Sequence, residues 1–424
     1  MKKLKSLNLW DCRRLKQVPD LSEAPNLEIL NLGCCAELND FPSYLTHHKS
    51  LVKLTLWKCS RFETLGSKLE MSSLQELDLK GCTRMRKLPE FGESMKHLSI
   101  LSLWSTAIEE LPTTIGCLVG LKELHLDHCK RLACLPDSIQ DLKSLTLLSL
   151  SHCPNALQSL HSLSGLTSLG TLRLSGCFLT SQESSSSYDL GNLVSLTDLE
   201  LSKNNFERVP INIHELPRLR CLNLDYCPNL KVLPELPSSI RELSAQDCGS
   251  LDIRWNSNVL SKVCCSFAES ANHDAEGLLQ MFVTQKQTRL KIEEEIPTWF
   301  VHQEQGNGVS VTLPHNKTMA LALCFQLCPV TSSHISCGPL PACPSVICNG
   351  KDFIKESLTE MFETNHSQHF ILCLPSDYFV DQVCQDYNFQ LLFPIYFQMK
   401  VVSSRARWVC KQDIQDLKKS GSQT

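Results

Sequence analysis

Cysteine is the side chain of this sequence with the widest choice of chemistry, because a thiol can form a disulfide, bind a metal or act as a nucleophile. The chain has 23 cysteines among 424 residues. An odd number in so long a chain is not typical of a small disulfide framework. Nine of them instead recur at one position of a repeat, which favours a structural role: Cys12, Cys35, Cys59, Cys82, Cys129, Cys153, Cys177, Cys227 and Cys248.

These cysteines close the pattern L-x-x-L-x-L-x-x-C, whose spacing of about 24 residues is typical of leucine-rich repeats. Thr106 and Asn204 take the ninth position in two further repeats. The side chain there must be small, buried and able to contact the backbone of the turn, so we predict structural thiols in a reducing, intracellular compartment. The repeats begin at Leu4, Leu27, Leu51, Leu74, Leu98, Leu121, Leu145, Leu169, Leu196, Leu219 and, in degenerate form, Ile240.

The repeat predicts an α/β solenoid of about 11 turns over residues 1–252, with parallel strands on its concave face. A second apolar pair, often followed by proline, predicts an irregular convex side. The stretch 180–192 is expected to be a solvated rim loop, with a binding insertion as the alternative. Because the first repeat starts at Leu4 without a capping sequence, we expect the chain to be the tail of a longer protein or to lie beside a missing domain.

Three tryptophans, Trp10, Trp57 and Trp104, occupy the seventh position of alternate repeats, where side chains should face the concave surface. On alternate strands they should stand about 10 Å apart. Gly33 is expected to leave a gap between the first two, and Lys80 to offer a cation–π contact between the others. The whole column reads Trp10, Gly33, Trp57, Lys80, Trp104, Asp127, Ser151, Ser175, Ser202, Asp225 and Gln246.

Aromatic anchors within a mixed polar field are typical of a protein-binding surface. Polar neighbours of the column include Asn8, Lys53, Thr55, Lys58, Glu76 and Asp78. Three interpretations remain open: an external protein partner, another domain of the same polypeptide, or local packing alone. The candidate partner-binding residues are Trp10, Trp57, Lys80, Trp104, His125, Asp127 and His128.

The charge and hydropathy patterns exclude several classes of function. A net charge of −4 does not supply the basic excess of a nucleic-acid surface. No apolar run approaches the roughly 20 residues that a membrane-spanning helix needs, and the N-terminus does not have the pattern of a signal peptide. We therefore predict a cytoplasmic or nucleo-cytoplasmic protein without a cofactor. The sequons at Asn316 and Asn365 would matter only in a secreted protein.

The last third has a different pattern. We predict a helical linker or cap over 253–290, an all-β jelly-roll or Ig-like sandwich over 291–415, and a tail over 416–424. Strand-like segments lie at 309–314, 319–328, 369–375 and 387–402, with a last strand and a short helix over 405–417.

Two chemical alternatives in this last third are weak. No C-x2-C pair accompanies His334, Cys337, Cys343 and Cys348, so we predict no zinc site. His302, Cys373 and Asp377 match no spacing known for nucleophilic catalysis, so we predict no catalytic residue.

Two long segments of the repeat region carry a family resemblance. "QVPDLSEAPNLEILNLGCCAELNDFP" (17–42) and the segment 101–139 resemble the leucine-rich repeats of plant TIR–nucleotide-binding–LRR disease-resistance receptors. "EEIPTWFVHQEQGNGVSVTLPHN" (294–316) is similar to the start of the domain that follows the repeats in that family, the C-JID, and "RWVCKQDIQDL" resembles its end. The matching positions are Ile296, Pro297, Trp299, Phe300, His302, Gln303, Gly306, Val309, Leu313 and Pro314.

The resemblance implies a role in recognition. In that family the repeats and the C-JID together bind a pathogen effector, the nucleotide-binding domain drives oligomerisation, and the TIR domain cleaves NAD. No phosphate-binding G-x-x-x-x-G-K-[ST] motif and no TIR region occur in this sequence, so we expect a module that binds a protein and does not catalyse. The alternatives are a fragment of an extracellular leucine-rich-repeat receptor, a scaffold for protein–protein interaction, and a truncated, non-functional relic.

Overall fold

The computed structural model describes residues 1–156, 163–179, 190–209, 211–237, 239–245 and 247–251. Between 279 and 410 it describes the backbone of nine strands and the side chain of Leu323. The chain forms two compact units, Met1–Leu219 and Arg220–Thr424.

The first unit is built on nine three-residue strands, one from each repeat, which pair in parallel with the strands of the neighbouring repeats. The middle leucines stay in register, as Leu7 lies opposite Leu30 and Leu30 opposite Leu54. This confirms the predicted parallel-strand solenoid. The strands are β1 (Ser6–Asn8), β2 (Ile29–Asn31), β3 (Lys53–Thr55), β5 (Glu76–Asp78), β7 (Ile100–Ser102), β8 (Glu123–His125), β9 (Leu147–Ser149), β10 (Thr171–Arg173) and β11 (Asp198–Glu200).

The core lies on one side of these strands. In the second repeat Leu27, Leu30 and Leu32 are all fully buried, and the later repeats bury the same three positions. Each such leucine contributes about 1.5–3 kcal/mol by leaving water. One repeat cannot bury its leucines alone, so stacking against the neighbours makes the core continuous.

Seven of the nine cysteines at the ninth position bond to the backbone of the preceding repeat. The thiol of Cys59 donates a hydrogen bond to the carbonyl of Leu32 at 3.1 Å, and the thiol of Cys82 donates to Leu56 at 3.2 Å. The same bond recurs at Cys35, Cys129, Cys153, Cys177 and Cys248. Eight of the nine cysteines are buried as predicted, whereas Cys12 of the first repeat is exposed.

The two exceptions at the ninth position replace the thiol with a stronger polar group. The hydroxyl of Thr106 donates to the carbonyl of Leu103 at 2.9 Å. The amide of Asn204 donates to Leu174 and Leu201 at 2.9 and 2.8 Å. Its oxygen accepts the backbone N–H groups of Cys177 and Leu179. A buried amide with this many partners is fully satisfied.

The side opposite the strands is irregular, as the prolines predict. Several prolines stand immediately before short 3-10 helices, where the missing N–H group has no acceptor to lose. Two short strands, β4 (Lys68–Leu69) and β6 (Glu90–Phe91), also pair in parallel there. The 3-10 helices include Ser43–His47, Thr113–Cys117, Asp137–Asp141 and Ile213–Glu215.

The second unit begins with two more repeat strands and continues as a mixed sheet. In spatial order the sheet runs β12 (Cys221–Asn223), β13 (Glu242–Ala245), β14 (Leu279–Thr284), β20 (Gln368–Pro375), β17 (Thr318–Pro329), β22 (Met399–Cys410) and β15 (His302–Gln305). The pairs β12–β13 and β13–β14 are parallel, and the later pairs are antiparallel.

A second, antiparallel sheet of four strands belongs to the same unit. The strands predicted over 309–314, 319–328, 369–375 and 387–402 are confirmed, although the last segment divides between β21 (Asp386–Leu392) and β22. In spatial order this sheet runs β16 (Gly308–Thr312), β21 (Asp386–Leu392), β18 (Ser345–Cys348) and β19 (Lys351–Asp352).

The predicted helical segment 253–290 needs a correction, because β14 lies inside it. β14 pairs in parallel with β13 and antiparallel with β20, so backbone pairing on both sides stabilises an extended chain there. Its sequence, LQMFVT, also contains the β-branched and aromatic residues that strands favour. The remainder of that segment, the rim loop over 180–189, most of the cysteine-rich loop 332–346 and the helix expected over 411–417 lie outside the described residues.

No helix in the described part of the chain is both long and apolar enough to span a membrane.

Candidate protein-binding surface

Side chains at the third, fifth and seventh positions of each repeat face away from the leucine core, and we call this side of the sheet the open face. The fifth residue often fixes the turn that follows it. Asn8 accepts the backbone N–H of Trp10 at 3.0 Å, and Asp78 accepts that of Lys80 at the same distance. Burial raises the pKa of Asp78, while the hydrogen bond from Lys80 opposes that shift. These bonds hold the seventh residue in a defined place before any side-chain contact forms.

The eighth residue of every repeat has a left-handed backbone, which sends its side chain back over the open face. The φ angles include 56° at Lys58, 59° at His128 and 60° at His152. Such angles are unfavourable for residues other than glycine. A compensating bond recurs from one repeat to the next: the N–H of Lys58 donates to Lys80, and that of His128 donates to Ser151, both at 2.7 Å.

Trp10 and Trp57 stack on each other, and we call them, with Lys58, the Trp10 stack. Their ring centroids are 5.1 Å apart and the ring planes differ by 19°. The expected separation of about 10 Å is therefore wrong. Gly33 explains the difference: a methyl group there would overlap the six-membered ring of Trp10, so only glycine lets the indoles close over the strand between them.

The cation–π prediction also needs a correction. Lys58, and not Lys80, places its Nζ over the Trp57 ring, 4.4 Å from the centroid. The left-handed turn directly after Trp57 brings Lys58 back across the indole, whereas Lys80 lies one repeat further on. The contact places a positive charge at the edge of an exposed aromatic surface.

Trp104 begins a second aromatic group, and we call Trp104, His128 and His152 the Trp104 row. The ring of His128 meets Trp104 edge to face at 5.6 Å, and His152 stacks on His128 at 4.4 Å. Gly176 makes room at the far end, because a methyl group there would come within 2.5 Å of the His152 ring. Among the described residues no ring contact joins this row to the Trp10 stack.

His152 was not predicted from the sequence. Its signal was its place in the repeat, because it occupies the same eighth position as His128, one repeat later. Burial lowers the pKa of His152, and the neighbouring His128, Lys203 and Lys130 lower it further. The imidazole is therefore neutral at pH 7, and a neutral ring stacks on His128 without charge repulsion.

Two candidates of the open face, His125 and Asp127, already have partners within the protein. His125 Nε2 lies 3.1 Å from a carboxylate oxygen of Glu123, and Asp127 accepts a hydrogen bond from the hydroxyl of Ser149. The structure thus places His125 and Asp127 beside the Trp104 row, with their orientation fixed by their own repeat neighbours. Lys80 makes no ring contact among the described residues.

The chemistry of this surface is that of binding. In the portion of the chain that the structure describes, no three His, Cys, Asp or Glu side chains are placed to hold a metal ion. Burial raises the pKa of Cys59 to about 12 and that of Cys129 to about 11, so these thiols stay protonated at neutral pH. A protonated, buried thiol is a poor nucleophile. Trp10 and Trp104, in contrast, are 45% and 40% exposed.

Two family models match the chain. The first describes the leucine-rich repeats of RPS4B-like disease resistance proteins and matches residues 70–269. The second is the C-JID domain, which matches residues 292–418. The chain is therefore a leucine-rich-repeat protein that carries a C-JID domain.

The curated relatives identify the wider family. The chain is 30% identical to TMV resistance protein N of Nicotiana glutinosa over 48% of its length, and 29% identical to disease resistance-like protein DSC1 of Arabidopsis thaliana over 39%. It spans only 20% and 16% of the length of these two proteins. It is thus related to the TIR–NB–LRR disease resistance proteins and carries their repeat and C-JID regions.

A solved structure of a Leptospira interrogans leucine-rich-repeat protein, LIC12759, is similar at 25% identity with a TM-score of 0.41. The match covers 59% of this chain and 71% of that one.

Proposed function

We propose that this chain is the ligand-recognition module of an intracellular plant immune receptor, and that its open face binds a protein partner. The observation that carries the proposal is the exposed aromatic surface formed by the Trp10 stack and the Trp104 row. Isolated surface aromatics need no explanation, but grouped and oriented ones are typical of binding hot spots. Ile29, which also lies on the open face, adds an apolar side chain that is 41% exposed.

The organisation of the surface supports this proposal. Gly33 and Gly176 clear space so that rings can stack, and Lys58, Glu123 and Ser149 hold rings or charges in place. A surface whose side chains are already ordered loses less conformational entropy on binding. The partner in this proposal is a pathogen effector, with the nucleotide-binding and TIR domains of the same receptor as the alternative partner.

The remaining parts of the proposal concern the domains and the compartment. The domains are the repeats over 1–252, a linker, and the C-JID over 291–415 as a jelly-roll or Ig-like sandwich that contributes to ligand binding. The compartment is the cytoplasm, alone or with the nucleus. None of the thirteen cysteines that the structure describes is in a disulfide, which fits a reducing environment. The module binds and has no catalytic role.

A binding experiment on the full chain tests the proposal. Purified effector proteins from pathogens of the host plant are screened, and each binder is titrated against wild type and two variants. Replacing both Trp57 and Trp104 with alanine should weaken binding at least tenfold, because a buried indole anchor contributes well over 1.4 kcal/mol. The matched control replaces Val119 and Val194, which are 48% and 49% exposed and lie outside the open face.

Two outcomes would contradict the proposal. If a folded tryptophan variant binds as tightly as the wild type, the open face is not the binding surface. If the effectors do not bind but a nucleotide-binding domain encoded upstream in the same reading frame does, and the tryptophan variant loses that contact, the surface packs within the receptor instead.

A further inference from the structure

A notch lies outside the open face, in the segments that follow the ninth position of the third to sixth repeats. Its volume is about 640 Å³, within the usual range of small-molecule sites. We call it the edge notch. Its lining residues are Glu63, Thr64, Thr83, Arg84, Arg86, Lys87, Ala107 and Arg131.

At the edge notch the fifth repeat is one residue shorter than its neighbours. In the neighbouring repeats two residues separate the ninth position from the next buried apolar side chain, and the second of the two is Arg84 or Arg131. In the fifth repeat Ala107 alone separates Thr106 from the buried Ile108. The fifth repeat therefore has no arginine at the position that Arg84 and Arg131 occupy in its neighbours. These two side chains lie on either side of an open space.

The cations that line the notch are weakly held. Arg84 lies 3.7 Å from Glu63, and Lys87 lies 3.5 Å from Glu110. In the third repeat, by contrast, Arg61 lies outside the lining of the notch and meets Glu37 at 2.5 Å. Exposed pairs at the longer distances contribute little. Within the described residues Arg84, Arg86, Lys87 and Arg131 donate no hydrogen bond.

One carboxylate serves two of these guanidinium groups. Nη1 of Arg86 and Nη1 of Arg131 both lie 3.6 Å from the same oxygen of Glu109, so the two nitrogens are at most about 7 Å apart. An anion that accepts charge-assisted bonds of about 2.8 Å on two of its oxygens can join groups at this separation. The N–H donors of both guanidinium groups, Arg86 and Arg131, are thus available to a ligand that carries more charge than a single carboxylate.

We propose that the edge notch binds a small soluble ligand that carries two or more phosphate groups. A phosphate group has close to two negative charges and three acceptor oxygens, which suits four cations that Glu63, Glu109 and Glu110 neutralise only in part. A ligand with single carboxylates would merely exchange with these glutamates. The site and the ligand class go beyond the proposed protein binding, because the notch lies outside the open face.

Calorimetric titration of the full chain with inositol hexakisphosphate at 150 mM salt tests the proposal. The double substitution Arg84→Gln and Arg131→Gln should weaken binding about a hundredfold, or about tenfold for each guanidinium group removed. Arg61→Gln is the matched control, because Arg61 has the same place in its repeat but does not line the notch. Ala107→Glu fills the notch with a competing carboxylate and should abolish binding without removing any arginine.

Several results would overturn the proposal. The absence of binding to the wild type is one, and an equal loss for Arg61→Gln is another, because it would mean diffuse charge attraction. Equally tight binding of an octa-aspartate peptide would exclude the phosphate class. Binding confined to vesicles that contain phosphatidylinositol bisphosphate would identify a lipid surface as the source of the phosphate. If a folded Ala107→Glu variant still binds the ligand, the binding site lies outside the edge notch.

Discussion

The ninth and seventh positions of the repeat lie two residues apart, yet they follow different rules. The ninth position holds a cysteine in nine of eleven repeats, and seven of these thiols make the same bond to the preceding repeat, as Cys59 and Cys82 do. The seventh position changes from repeat to repeat, and its contacts depend on which neighbours it has, as Trp10 and Gly33 illustrate. The backbone thus determines the side chain at the ninth position, whereas the seventh position can vary and serve recognition.

The largest expected effect concerns the thiols of the ninth position in alkaline solution. Burial raises the pKa of Cys59 to about 12 and those of Cys129 and Cys177 to about 11. Unfolded thiols ionise near their ordinary value, so the unfolded state loses protons first. Below about pH 8.5 the buried thiols should make their full contribution to the free energy of unfolding. As the pH rises towards 11, the free energy of unfolding should fall by about 1.4 kcal/mol per pH unit for each such thiol.

Urea unfolding of the full chain at pH 8, 9 and 10 measures this slope. Cys59→Thr, which copies the natural Thr106, should reduce the slope by one thiol. Cys134→Ser, at an exposed cysteine, should leave it unchanged. Equal slopes for the two variants would show that the buried thiols do not govern the alkaline transition.

A smaller effect is expected at the one asparagine of the ninth position. Asn204→Ala should lower the free energy of unfolding by about 3 kcal/mol, because the carbonyls of Leu174 and Leu201 and two backbone N–H groups lose their partner inside the core. Equilibrium urea unfolding measures the change. Asn39→Ala is the control, since that side chain is exposed, and it should change stability by less than about 0.5 kcal/mol. If Asn204→Ala and Asn39→Ala lower the free energy of unfolding equally, the bonds of Asn204 at the ninth position are not what stabilises the fold there.

The smallest effect in stability is expected on the open face. Gly33→Ala should separate the Trp10 stack, because the new methyl group would occupy the space of the Trp10 ring, and should cost about 1 kcal/mol. Near-ultraviolet circular dichroism, which responds to coupled indoles, should change strongly. Gly170→Ala is the matched control, because the nearest atom to a methyl group there is 3.6 Å away. An unchanged spectrum for Gly33→Ala would mean that Trp10 and Trp57 are not stacked in solution.

The same contrast explains what could be predicted from the sequence. The parallel strands, the leucine core and the buried cysteines follow from a spacing that the backbone imposes on every repeat, and these predictions were confirmed. The tryptophan separation and the Lys80 contact were wrong, because they depend on Gly33 and on a left-handed turn at Lys58. His152 was missed because the sequence does not reveal the left-handed turn that brings the eighth residue of each repeat over the open face. β14 was mistaken for helix because the strands that pair with it, β13 and β20, are remote from it in sequence.

The direction of the cysteine bonds has a consequence for how the protein is made. Six of these thiols donate to a carbonyl 26 or 27 residues earlier, as Cys35 does to Leu9 and Cys59 does to Leu32, and Cys248 donates to one 24 residues earlier. A ribosome adds about 5–20 residues per second, so the acceptor leaves the exit tunnel a few seconds before its donor. The repeats can therefore close one after another in the order of synthesis, each on the one already formed, and no unpaired stretch of leucines has to wait for a distant part of the chain.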